Sequence, residues 1–289
     1  MGRYEKKKER RPLRWVIAAV VLVGAAALLI ALFSKAFDTQ RGAAEPSVPT
    51  SPYRAEAFSF EDGFLRYADG PYLVGMDVSE HQGQIDWQKV AQAGVQFVIL
   101  RAGFRGSTAG GLYADEQFEE NYAQAKEAGL QVGVYFFSQA RSAQEAEEEA
   151  AYVCGLLEGK TLELPVYYDL EAENSERLPE LSEIPMTQCA EAFCQRVEQA
   201  GYRGGVYFNQ HYGYRYLELQ RLQNYDLWLA EYGDAPTFTN RFDCLQYTAN
   251  GQVDGITGDV DLDLRFLPEE TVPLSTVQDE DASYTERIS

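Results

Sequence analysis

Two carboxylates one residue apart, Asp169 and Glu171, close a β-prone run: Leu164-Pro165-Val166-Tyr167-Tyr168-Asp169-Leu170-Glu171. In an extended strand side chains alternate faces, so the two acids point one way and Tyr168 and Leu170 the other. Carboxylates that close repel, which lets one keep its proton near neutral pH while the other stays charged. A general acid beside a charged stabiliser is the equipment for cleaving a glycosidic bond. A D-x-E pair alone is also what a solvated strand end looks like. Its weight comes from its surroundings.

Those surroundings have a rhythm. Short apolar runs at 73–78, 97–102, 132–137 and 164–169 alternate with helical patterns at 87–93, 118–128, 143–157 and 189–200. Strand–helix alternation implies βαβ units and a parallel sheet. Beyond it, runs at 205–209, 227–231, 244–248 and 260–266 follow with no room for full helices between the last of them. Eight strands with helices after the early ones predict an α/β fold, a TIM-like (β/α) barrel with an incomplete helical second half.

Barrel enzymes place their chemistry at the C-terminal strand ends, so the residues sharing the inward parity there are the candidates. They are Gly75, Asp77 and Ser79; Gly133, Tyr135 and Phe137; Tyr167, Asp169 and Glu171; Gly205, Tyr207 and Asn209; Trp228, Ala230 and Tyr232; Cys244, Gln246 and Thr248; and Asp259, Asp261 and Asp263. One face collects acids, aromatics and amides, and the other is aliphatic. Aromatic faces stack on sugar rings and carboxylates flank the scissile bond, so the pattern suits a saccharide groove. The plain alternative is a ring of polar groups around a solvated mouth, preferred for Asp259 and Asp263 with Arg265 as ion-pair partner. For Asp77 the plain role is capping the turn with Ser79. Three aspartates fall short of the six or more oxygens calcium needs, and with two histidines and no C-x-x-C no metal site or cofactor is expected.

The 289 residues carry a net charge of −20, which argues against a nucleic-acid partner. The charge is uneven: residues 1–14 hold seven Lys/Arg against two Glu, leaving −25 for the remainder. Next come nineteen uncharged residues at 15–33, long enough at 1.5 Å each to cross a ~30 Å hydrocarbon core. The positive-inside rule then predicts one transmembrane helix, a cytoplasmic N-terminus and everything after residue 33 exported. A cleaved signal peptide and a secreted product is the alternative. Residues 34–71, with SVPTSP at their centre, read as a linker whose Phe58, Phe60, Phe64 and Tyr67 can dock on the domain at 72–267; 268–289 read as an acidic, disordered tail. Export leaves Cys154, Cys189, Cys194 and Cys244 open to disulfides or to burial as thiols.

The inward-facing motifs resemble those of glycoside hydrolase family 25, the Chalaropsis-type lysozymes. Gly75-Met76-Asp77-Val78-Ser79-Glu80-His81-Gln82-Gly83 with Ile85-Asp86-Trp87 is similar to the family's opening D-x-S-x-x-Q-G…I-D-W. Phe97-Val98-Ile99-Leu100-Arg101-Ala102 resembles its second strand and Gly133-Val134-Tyr135-Phe136-Phe137 its third. Tyr168-Asp169-Leu170-Glu171 resembles the D-x-E strand, Trp228-Leu229-Ala230-Glu231-Tyr232 the W-x-A-x-Y strand, and Gln246-Tyr247 the Q-Y strand. Val260-Asp261-Leu262-Asp263 resembles the closing V-D-x-N, with Asp263 where the family usually has Asn, a departure that bears on a supporting contact. The resemblance implies a muramidase that cuts the β-1,4 bond between N-acetylmuramic acid and N-acetylglucosamine in peptidoglycan glycan strands. Glu171 would be the general acid, with Asp169, Asp77 and Asp261 as companion carboxylates. Tyr135, Phe137, Tyr207, Asn209, Trp228, Tyr232 and Gln246 would bind substrate. A monomer is expected. Two rivals stand beside this reading: a non-catalytic wall-binding module and a chitinase-like hydrolase.

Overall fold

An Asp-Gly pair between two aromatic runs builds the first ordered feature. The computed structural model describes residues 48–171, 176–178, 180, 182 and 184–268. Within it, β1 (Phe58–Glu61) and β2 (Phe64–Tyr67) form an antiparallel hairpin. Its turn residues Asp62 and Gly63 both have positive φ, +51° and +83°, which a two-residue hairpin with right-handed twist demands. The hairpin and the strand of chain before it lie on the barrel. Ser51 N donates to Thr239 O at 2.9 Å, and the Tyr53 ring stacks on Phe266 at 3.9 Å. The part of the expected linker that is described is therefore packed chain; residues 34–47 lie outside the described residues.

The barrel strands are β3 (Tyr72–Val78), β4 (Phe97–Arg105), β6 (Gln131–Ser138), β7 (Val166–Leu170), β8 (Gly204–Asn209), β9 (Asp226–Ala230), β10 (Cys244–Gly251) and β11 (Val260–Phe266); the short β5 (Leu112–Ala114) folds back antiparallel on the end of β4. The ring closes where β3 pairs with both β4 and β11. Helices α1 (Trp87–Gln92), α2 (Phe118–Glu127), α3 (Ala143–Leu156) and α4 (Met186–Gln199) link the first strands, and two short ones, α5 (Gln210–Arg215) and α6 (Leu219–Leu222), follow β8.

This architecture corrects the expected TIM-like (β/α) barrel. The eight-stranded barrel is mixed, with few helices. Pairings from β3/β4 round to β9/β10 are parallel, whereas β11 runs antiparallel to both β10 and β3. The reason is connection length. A parallel crossover takes a dozen or more residues, usually a helix, and the link at 252–259 is too short for anything but a reversal. The expectation of a preceding transmembrane helix also finds no support: among the described residues no helix is long and apolar enough to cross a membrane, and residues 15–33 lie outside them. So do the basic segment at 1–14 and the tail beyond residue 268.

Reversal of β11 has a consequence for chemistry. Its N-terminal end, not its C-terminal end, meets the C-terminal end of β3, so Asp261 pairs directly with Asp77. Two apolar layers hold the ring. The larger packs helices and hairpin on the outer strand faces; the smaller fills the interior with Phe97, Ile99, Leu164, Tyr167, Trp228 and Cys244. Rings of that size need small neighbours. A Cβ on Gly75 would come within 2.3 Å of the Phe97 ring, and one on Gly205 within 2.4 Å of the Tyr167 ring. All four cysteines are free thiols, three of them buried.

Candidate active site

At the mouth formed by the C-terminal ends of β3–β10 lies an open cleft of about 390 Å³. Four acids reach it from three strands: Asp77 from β3, Asp169 and Glu171 from β7 and just beyond it, and Asp261 from β11. Tyr135, Phe137, Tyr207, Trp228, Tyr232 and Gln246 share its wall. Ten of the eleven candidate residues are thus brought together. Asn209 is not: its Oδ1 accepts from Tyr212 N at 2.9 Å, capping α5.

Local structure explains the spacing of the opening motif. Ser79 and Gln82 form a reciprocal capping box: the serine hydroxyl accepts from His81 N, and Gln82 Oε1 accepts from Ser79 N at 2.9 Å. The turn holds His81 and Gln82 on the cleft wall. Ser79, not Asp77, caps the turn. The Asp77 carboxylate instead accepts from Gln246 Nε2 at 2.7 Å, and Gln246 Oε1 accepts from the phenols of Tyr207 and Tyr232 at 3.0 and 3.2 Å.

Glu171 sits past the end of β7, and its backbone carbonyl accepts from Gln139 Nε2 at 3.2 Å. That glutamine is held in turn, its N–H donating to the buried Glu149 carboxylate, which also takes Ser138 Oγ at 2.6 Å and Arg105 Nε at 2.7 Å. The ends of β4 and β6 and the middle of α3 thereby fix the segment carrying Glu171. Neighbours of this kind fix the backbone from which Glu171 enters the cleft.

Burial dominates the electrostatics. Asp77, only 6% exposed, has its carboxyl held well above the usual carboxylate range by burial and by the nearby Asp261 and Asp263. Burial lifts Asp261 to about 6. The Tyr135 and Tyr207 phenols are raised by burial and then by the acids around them, Asp77 for Tyr135 and Glu171 and Asp169 for Tyr207. Arg101 lines the cleft, but its guanidinium is committed, to Asp115 at 2.7 Å and Glu80 at 2.9 Å.

Two expectations about the last strand are corrected. Asp263 does not ring a solvated mouth: it is 0% exposed and accepts from Trp228 Nε1 at 2.8 Å. Arg265 pairs with neither Asp259 nor Asp263 but with Asp226 at the other end of the barrel interior, while Asp259 takes Gln252 Nε2 at 2.7 Å. Sequence reasoning missed Arg101, His81 and Gln82 as cleft residues. Arg101 was findable from parity, because it follows the inward Phe97 and Ile99 of β4 at the period of two. Among the described residues no three His, Cys, Asp or Glu side chains form a metal-binding set.

The model of the family described as glycosyl hydrolases family 25 matches residues 76–256. The chain is 27% identical over 192 residues to the autolytic lysozyme of Clostridium acetobutylicum, covering 66% of this chain and 55% of that protein. It is 30% identical over 205 residues to lysozyme M1 of Streptomyces globisporus, covering 67% of this chain and 68% of that one. The solved modular autolysin LytC of Streptococcus pneumoniae superposes with a TM-score of 0.62 at 25% identity, over 76% of this chain and 52% of that one. The chain thus spans about half the length of two of these relatives.

Proposed function

The chain belongs to glycosyl hydrolase family 25, and on that premise we propose that its cleft hydrolyses the β-1,4 bond between N-acetylmuramic acid and N-acetylglucosamine in peptidoglycan. The observation that carries this is the gathering of Asp77, Asp169, Glu171 and Asp261 in one aromatic-walled cleft. Glu171 acts as the general acid and protonates the leaving oxygen as the bond breaks. Positive charge then develops at the anomeric carbon, and the carboxylates facing it stabilise that charge. The Tyr207–Gln246–Asp77 chain of hydrogen bonds orients one of those carboxylates. With Glu171 returned to its base form, it activates the water that completes hydrolysis.

Two routes fit this cleft: attack by a carboxylate, or attack by the substrate's own N-acetyl oxygen with Asp169 orienting it. A substrate carrying sulfur in place of that oxygen separates them, since it slows the second route selectively.

We place the domain on the outer side of the cell membrane, acting as a single copy on the wall. The support is in the sequence: the basic segment at 1–14 before the uncharged residues at 15–33. A tether raises local substrate concentration, which offsets the repulsion between a −25 chain and anionic wall polymers.

The test is Glu171→Gln on purified peptidoglycan. Loss of a general acid lowers kcat by about 10²–10⁴-fold while wall binding persists. Reducing ends on N-acetylmuramic acid identify the bond cut. A wild-type domain that binds walls and releases no fragments, or one that prefers chitin oligomers, overturns the proposal.

A further inference from the structure

One buried acid has no part in the chemistry above. Asp263 lies beneath the cleft on the inward face of β11, 0% exposed. Across one strand boundary it pairs with Gln246 and across the other with Gly75, whose missing side chain leaves it diagonal to Asp77. Its Oδ1 accepts from Trp228 Nε1 at 2.8 Å. Its Oδ2 is buried and meets no donor, and the β3–β11 register sets this carboxyl diagonal to that of Asp77, with which it interacts.

Two buried acceptors cannot face each other across that gap without a proton between them. Either acid could hold it, and the partners decide. Asp77 opens onto the cleft and takes a donated hydrogen bond from the Gln246 amide; Asp263 is sealed from water and has one donor, the indole. Desolvation therefore penalises charge on Asp263 more. Among the described residues no cation pairs with it: Arg265, two residues along, is bound to Asp226 and Tyr167, and Arg101 to Asp115 and Glu80.

We propose that Asp263 is a neutral carboxylic acid whose O–H donates to Asp77, making it a positioning residue that keeps Asp77 as the charged member of the pair. The role assigned to Asp77 rests on the muramidase reading; the location of the proton does not. Gln246 and Asp263 then converge on Asp77 as two donors, and the aspartate is held in one orientation toward the cleft. Burial raises Asp77 and Asp263 alike above the usual carboxylate range, so the pair holds a proton, and the unequal exposure and donors of the two acids decide which one carries it. The other titratable groups bearing on the pair are Asp261 beside Asp77, Asp169 on β7, Tyr135 on β6, Cys244 and Tyr247 on β10, and Tyr232 after β9.

Carbon-13 NMR of the full chain with labelled aspartate carboxyls reads the proton directly. At pH 7 one aspartate carboxyl is expected at the protonated shift; Asp263→Asn removes that signal, and Asp77→Asn lowers its titration midpoint. Asn keeps an N–H toward Asp77, so Asp263→Asn retains at least a third of the wild-type kcat/KM, whereas Asp263→Ala loses tenfold or more. Wild-type spectra with every aspartate ionised at pH 7 overturn the proposal without any variant, and so does a protonated signal that survives Asp263→Asn. A domain with no muramidase activity but with this proton in place would sink the functional reading alone.

Discussion

The barrel interior holds two acidic clusters at opposite ends, and they are built on opposite rules. At the N-terminal end, Asp226 accepts from Tyr167 Oη at 2.7 Å and from Arg265 at 3.0 Å, so its charge is matched by a cation and a hydroxyl. At the mouth, Asp77, Asp261 and Asp263 sit together with an amide and an indole as donors and, among the described residues, no cation paired with any of the three. Matched charge in a buried site holds structure; unmatched charge holds protons. The difference teaches where this fold keeps chemistry: at the end where burial is left uncompensated, acids are pushed toward neutrality and can exchange protons near working pH.

The comparison breaks most visibly at the structural end. Arg265→Met should strand the Asp226 carboxylate in the interior and cost about 3–5 kcal/mol of stability, read as a fall in the urea midpoint. No equivalent loss is available for Asp77, Asp261 and Asp263, because among the described residues none of the three has a cation partner: Arg101, on the same cleft wall, pairs with Asp115 and Glu80. If Arg265→Met is neutral, the ion pair is not what closes that end.

A smaller effect separates the ends by pH. Asp77, Asp261 and Asp263 have folded pKa values above their unfolded ones, so the folded domain binds more protons than the unfolded chain. Their contribution to stability is complete only below the unfolded carboxylate value of about 4 and is lost progressively as pH rises from there through the folded values, about 6 for Asp261. The melting temperature should therefore fall as pH rises from about 4 to about 7, by about 2–4 °C for each kcal/mol lost. Calorimetry across that range checks it. A flat profile would mean the mouth is as well compensated as the floor.

The smallest change concerns Asn209, expected to bind substrate and placed by the structure at the cap of α5. Asn209→Ala removes the cap of α5 and should cost about 1 kcal/mol, with the effect in thermal stability and not in KM. A large rise in KM would return Asn209 to the cleft.

Much was legible in the order of residues. The period of two along each strand sorted acids, aromatics and amides onto one face, and the cleft draws on that face from β3, β6, β7, β8, β9, β10 and β11. The D-G pair at Asp62 and Gly63 announced a hairpin that a Pro/Ser-rich context disguised as linker. Asn209 fell on the right parity yet stood at a strand end where a helix begins, and there the amide satisfies a backbone N–H.

Periodicity is a local property, and so the sequence by itself determined which face each side chain would occupy and which turns would form. Strand direction and depth are not local. Only the closed ring decided that β11 returns antiparallel, that Asp261 meets Asp77, and that Asp263 lies under the mouth instead of on its rim. Those follow from which strands end up as neighbours, and it is the neighbours that set burial, dielectric and the fate of a proton.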